Sequence, residues 1–241
     1  MFIVTSTLAS VARYPLGYRV HAVGPRPAEM LELYEYEGCP YCRKVRDALT
    51  MLDLEVLVRP SPRGGERYRP EAIARGGKKQ FPLLVDPNED LLLYESDAIV
   101  RHLYARYGSG APPLGLRLGG LGTLQSGVAS MLRPGYGLVA RKSRPSAEAL
   151  HLWSYELSPF CRRVREVLCE LELAYVLHNV GKESPSRPAF IERTGRMMVP
   201  YLEDPNTGAK MFESRDIVRY LRSTYARRVG HPTRRVGHPT R

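Results

Sequence analysis

The sequence predicts an α/β protein built from two copies of one β-α-β-α-β-β-α unit. Three observations predict it: an internal repeat, a proline at each strand-to-helix junction, and an Asp-Pro-Asn turn late in each copy. Displaced by 119 positions, residues 31–49 lie over 150–168 with ten of nineteen identical. Among the identities are Tyr36/Tyr155, Pro40/Pro159, Cys42/Cys161, Arg43/Arg162, Val45/Val164 and Arg46/Arg165. With the displacement reduced to 118, residues 82–103 lie over 200–221 with 11 of 22 identical. That stretch includes Asp86-Pro87-Asn88 against Asp204-Pro205-Asn206 and Glu95-Ser96 against Glu213-Ser214. Self-similarity of this extent marks a duplicated structural unit.

The elements follow in order. Alternating Leu31, Leu33, Leu150 and Leu152, followed by aromatic residues, predict the first strand of each copy. Pro40 and Pro159 open the first helices, because the first helical position needs no N–H. Val45, Leu49 and Leu52 at helical spacing carry that helix to about Asp53, and its counterpart to Glu172. Second strands are expected at 54–58 and 173–177, then a weakly patterned helix. Strands beginning after Pro82 and Pro200, an Asp-Pro-Asn turn and a short fourth strand come next. Ser96 and Ser214 are the expected N-caps of the last helix. This order is that of a thioredoxin-like fold, with domains at 29–107 and 148–226. Residues 1–28 form an N-terminal extension, 108–147 a Gly/Pro-rich basic linker, and 227–241 a disordered basic tail. Leu121, Leu124, Val128 and Met131 fall at helical spacing in the linker and suggest a short helix there. The tail repeats Arg-Val-Gly-His-Pro-Thr-Arg, and its His231 and His238 make a weak case for a metal.

Net charge is +11 over 241 residues, but the two copies carry −2 and 0, so the excess lies in the connecting and terminal segments. A nucleic-acid surface would gather basic residues on a folded face, so no specific nucleic-acid partner is expected. No run approaches the roughly 18 apolar residues of a membrane span, and the start lacks a charged signal-peptide region. A cytoplasmic location is therefore expected. The 4 cysteines are too few to staple a secreted scaffold and lack the pairing of a zinc site. No metal is expected.

The Cys39-Pro40-Tyr41-Cys42 motif carries the chemistry. Cys39 is placed at a helix N-terminus, whose unpaired N–H groups and dipole favour a thiolate, and Arg43 and Lys44 are expected to reinforce this. Cys42, a turn further on, is placed to resolve a mixed disulfide. Two plain core cysteines, or half of a zinc site, are the alternatives. Cys161 and Cys169 read as buried thiols.

Cys-Pro-Tyr-Cys, the Phe81-Pro82 step and Glu95-Ser96-Asp97 together resemble a glutaredoxin built on the glutathione-transferase N-terminal domain. Ser158-Pro159-Phe160-Cys161, Val199-Pro200 and Glu213-Ser214 resemble the same family with serine leading. The two repeats, about two thirds of the chain, carry the likeness, and the tandem arrangement is similar to proteins with two such domains. The resemblance implies cis peptides before Pro82 and Pro200, with Tyr41, Phe81 and Val199 lining a glutathione site. It implies that Glu95-Ser96 and Glu213-Ser214 take the γ-glutamyl end, and that Lys79 and Gln80 meet the glycyl carboxylate, where the second copy has Met197 and Met198. A complete transferase adds an all-helical C-terminal domain, for which linker and tail are too short, so none is expected.

The activity implied is glutathione-dependent thiol–disulfide exchange, with glutathione as co-substrate and Cys39 forming a mixed disulfide. Glutathionylated or disulfide-containing molecules are the implied partners, and a homodimer is an allowed assembly. Two alternatives stand beside it: a glutathione transferase using Ser158, and a non-catalytic binding scaffold.

Overall fold

A computed structural model describes residues 16–117 and 136–227. The linker helix suggested by Leu121, Leu124, Val128 and Met131 lies outside the described residues, as do His231 and His238. Each copy has the expected order. The first runs β1 (Leu31–Glu35), α1 (Pro40–Met51), β2 (Val56–Pro60), α2 (Tyr68–Gly76), β3 (Leu83–Asp86), β4 (Leu91–Leu93) and α3 (Ser96–Tyr107). A short α4 (Leu114–Arg117) follows. The second runs β5 (Leu150–Ser154), α5 (Pro159–Glu170), β6 (Tyr175–Asn179), α6 (Arg187–Thr194), β7 (Tyr201–Asp204), β8 (Ala209–Phe212) and α7 (Ser214–Tyr225).

The second strands begin two residues later than expected, and the helices before them end two residues earlier. Asp53 and Glu172 take positive φ (55° and 48°), and Leu54 and Leu173 donate back to the carbonyls of Leu49 and Leu168. Those residues close the helices rather than open the strands. A second correction concerns the last helices. Glu95 and Glu213, at φ 66° and 67°, are the caps, and Ser96 and Ser214 are the first helical residues.

The copies fuse into one eight-stranded sheet of order β4-β3-β1-β2-β6-β5-β7-β8. The seam is the antiparallel pairing of β2 with β6, Val56 opposite Leu177 and Val58 opposite Tyr175. Alternation sends Leu31, Leu33, Leu150 and Leu152 to one face, where α1, α3, α5 and α7 close a single apolar core running through both copies. The opposite face carries Tyr34, Leu83 and Val85 under α2, and Trp153, Val180, Phe190 and Tyr201 under α6.

Two arms precede the copies and obey the same pseudo-symmetry. Residues 16–24 bridge first to Lys182 of the second copy, through Arg19, and then to Gly108 of their own, through Val23. Residues 136–144 do the reverse, Val139 bridging to Arg63 and Ser143 to Ala226. The extension and linker of the sequence reading thus hold ordered segments that cross between copies. Gly17 and Gly137 sit at matching points with φ 66° and 63°, a conformation glycine adopts at little cost. No helix among the described residues is long and apolar enough to cross a membrane.

Candidate functional site

Cys39 caps α1. Its backbone is extended (φ −81°, ψ 124°), Pro40 follows at the first helical position, and Sγ accepts the Cys42 N–H at 3.4 Å. The turn that delivers it is closed by Cys39 N–H donating to the Tyr36 carbonyl at 3.0 Å. Cys39 is held down to about 7, below an ordinary thiol at ~8.5. The Cys42 thiol is the first cause, by donating to its sulfur; the Cys42 N–H and the Tyr36 hydroxyl add to this against the opposing effect of burial. Cys42 moves the other way, well up, because it is fully buried and lies against the developing thiolate. The two cysteines are thus split into a leading thiolate and a protonated partner, the asymmetry a resolving pair needs.

The cause differs in part from the sequence reading. Arg43 pairs with buried Glu156 at 3.5 Å and Lys44 with Asp97, and neither cation is among the main causes that lower the Cys39 thiol. Tyr36, overlooked as a site residue, supplies the hydroxyl instead. Its identity with Tyr155 across the repeat was the available signal.

Of the other first-copy residues, Phe81 meets this turn, through Tyr36. The Phe81–Pro82 peptide is cis, and the Phe81 ring stands edge-on to Tyr36 with centroids 6.2 Å apart. Gln80 donates its side-chain amide to the exposed Glu95 carboxylate, linking the cis loop to the start of α3, where Ser96 is buried. Gln80 is therefore engaged with Glu95, and Lys79 lines a separate open groove with Arg69 and Ile73. Tyr41, the second residue of α1, is 49% exposed.

In the second copy Ser158 caps α5 in the same manner, its Oγ accepting the Cys161 N–H at 3.3 Å. Val199–Pro200 is also cis. A pocket of about 230 Å³ is lined by Phe160, Met198, Val199, Pro200, Glu213 and Ser214. Ser158 is only 3% exposed and is not among those walls. Cys161 and Cys169 are buried, and burial raises both thiols.

A buried ionic lattice joins the two turns. Arg46 donates through Nε to Glu156 at 2.9 Å, and its Nη atoms pair with Glu35 and, at 3.3 Å, with Glu37. Arg165 grips Glu37 through Nε at 3.1 Å and Nη2 at 3.2 Å, and reaches Glu156 at 2.8 Å. Burial lifts Glu35 above the usual carboxylate range in spite of Arg46. The repeated Glu37/Glu156 and Arg46/Arg165 were visible in the alignment of the copies. Nothing in a linear sequence showed that each pairs across it.

A family model described as "Glutathione S-transferase, N-terminal domain" matches the chain twice, over residues 33–113 and 152–229. The chain belongs to the glutathione S-transferase N-terminal domain family. Both matches cover the duplicated thioredoxin-like units, so the repeat is a tandem pair of such domains. Among solved structures, a Bombyx mori glutathione transferase is 24% identical, with 39% of this chain and 44% of that one covered and a TM-score of 0.33. The chain thus spans less than half of that protein's length. A Leishmania protein titled a unique trimeric glutathione transferase is 16% identical, with 80% and 68% covered and a TM-score of 0.29. No curated protein gave a match.

Proposed function

We propose that the first copy is a glutathione-dependent thiol–disulfide oxidoreductase with Cys39 as its nucleophile. The observation that carries the reading is the Cys39 thiol at the N-cap of α1, held at about 7 by groups that stabilise its anion. At neutral pH about half of such a thiol is thiolate, against a few per cent of an ordinary one.

The Cys39 thiolate attacks the glutathione sulfur of a glutathionylated substrate, forming a Cys39–glutathione disulfide and releasing the substrate thiolate, which takes a proton from solvent. A second glutathione thiolate then attacks the glutathione sulfur, regenerating Cys39 and leaving oxidised glutathione. Cys42 offers the intramolecular alternative, and its raised thiol makes it the slower nucleophile until a base removes its proton. The residues present suit the tripeptide. Glu95 exposes a carboxylate for an ammonium, the first turn of α3 offers unpaired N–H groups for a carboxylate, and the cis Phe81–Pro82 loop flanks the sulfur through Tyr36.

The second copy keeps the cradle but has serine in place of the reactive thiol. Ser158 shares the capping position and the burial of Cys39 (3% against 2% exposed), but its oxygen cannot form a disulfide, which favours a copy that binds or supports without exchange. Glutathione and glutathionylated thiols in the cytoplasm are the partners that fit this chemistry. The test is reduction of a glutathionylated peptide with glutathione, comparing wild type with Cys39→Ser. Complete loss in the variant supports the reading. Retained turnover overturns it.

A further inference from the structure

The turn that presents Cys39 is held by Arg46 of its own copy, 3.3 Å from both the Glu37 carboxylate and the Glu37 carbonyl, and by four residues of the other copy. Inside it, the Glu37 carboxylate is gripped at two points by Arg165, its N–H donates to Cys169 Sγ at 3.4 Å, and the Gly38 N–H donates to Gly137 O at 3.3 Å. Cys169 Sγ in turn donates to that Gly137 carbonyl at 3.3 Å, tying arm and helix together. Leu138 of the same arm packs so closely on Gly38 that a methyl group there would lie 2.3 Å from its Cδ2. Arg165, Cys169, Gly137 and Leu138 all belong to the second copy or its arm.

The second turn mirrors this. Glu156 is held by Arg46, its N–H donates to Thr50 Oγ1 at 3.3 Å, and the Leu157 N–H donates to Gly17 O at 2.9 Å. Reciprocity matters because only the first copy carries the leading cysteine. The partner copy, lacking that thiol, still supplies every cross-contact to the turn that has it.

We infer that the second copy acts as a built-in partner that positions the Cys39 turn, with Arg165 as the positioning residue through Glu37. The inference rests on the exchange chemistry proposed for Cys39. Arg165 suits the task because it is 1% exposed and donates both to Glu37 and to the Tyr155 and Glu156 carbonyls of its own turn. A rigid guanidinium fork fixes direction as well as distance, which a lysine cannot do. If the grip on Glu37 is lost, Tyr36 and Cys39 on either side of the turn shift, and the Tyr36 hydroxyl no longer meets Sγ.

The experiment uses the full chain with Arg165→Gln, Arg165→Lys, Glu37→Gln and the Glu37→Gln/Arg165→Gln double variant. Two readouts are taken on protein shown to be folded: the pH profile of Cys39 alkylation by iodoacetamide, followed on its own peptide, and amide exchange at Glu37 and Gly38. Loss of the positioning contacts is expected to raise the alkylation midpoint by about one pH unit. That slows the reaction at pH 7 about fivefold, and exchange at both amides is faster. Arg165→Lys recovers part of the loss, and the double variant is no worse than either single one, since both break the same contact. Should Arg165→Gln fail to fold, Glu37→Gln and Arg165→Lys carry the same test. Folded variants that keep a low wild-type midpoint overturn the inference alone. A wild-type midpoint near 8.5, the ordinary value, overturns the exchange chemistry and the inference together.

Discussion

Replacing Arg46 with methionine removes the hub of the ionic lattice and should cost about 3–5 kcal/mol of stability. The magnitude follows from what is left behind. Arg46 is 1% exposed and pairs with Glu35, Glu37 and Glu156, so methionine fills part of the stem volume and strands carboxylates out of water. Arg165 remains for Glu37 and Glu156, whereas Glu35 loses the arginine it pairs with and takes up a proton. Urea unfolding measures the cost. With a slope of about 2 kcal/mol per M the midpoint should fall by roughly 1.5–2.5 M.

The pH dependence has a definite sign. Burial alone would raise Glu156, but Arg165, Arg46 and Arg43 outweigh it and hold the acid down to about 2, below its unfolded value of ~4.3. Its stabilising effect is therefore present above about pH 4.3 and lost as pH falls towards 2. Wild type should weaken over that window, and Arg46→Met should weaken less. A variant within 1 kcal/mol of wild type at pH 7 would refute the view that the lattice holds the copies together.

Tyr36→Phe deletes the hydroxyl on Cys39 Sγ and should raise the thiol by roughly one unit, since hydrogen bonds to a charged group are worth about 1.5–3 kcal/mol; the pH profile of alkylation reads it. Gly137→Ala forces a side chain at φ 63°, 2.8 Å from Glu37 Cβ, and should cost about 1–3 kcal/mol by thermal unfolding. Because both copies share one sheet and one core, far-UV circular dichroism and the fluorescence of the single tryptophan, Trp153 in the second copy, should give coincident unfolding curves. Separate transitions would mean that the β2–β6 seam does not couple them.

Local chemistry was legible in the sequence and relations between distant segments were not. Pro40 and Pro159 marked helix starts because their effect on the backbone is local. The Cys-Pro-Tyr-Cys motif placed Cys39 at a helix N-terminus for the same reason. Ser96 and Ser214 were misjudged as caps, because the deciding feature was the left-handed backbone of Glu95 and Glu213, which no side-chain preference advertises. Arg43 and Lys44 lie beside the motif in sequence, yet the helix carries them to Glu156 and Asp97. The arms, within the N-terminal extension and the linker, carry no periodicity because each crosses between copies as an irregular segment. Only matching glycines, Gly17 and Gly137, hinted at an ordered role.

Trapping decides whether Cys39 is an activated thiol that accepts glutathione. The Cys42→Ser variant, which cannot resolve an intramolecular disulfide, is incubated with oxidised glutathione at pH 7 and mapped by peptide mass spectrometry. One glutathione per chain, attached to Cys39, is the expected result. Protein left unmodified at Cys39, or modified at Cys161 or Cys169 instead, would contradict it.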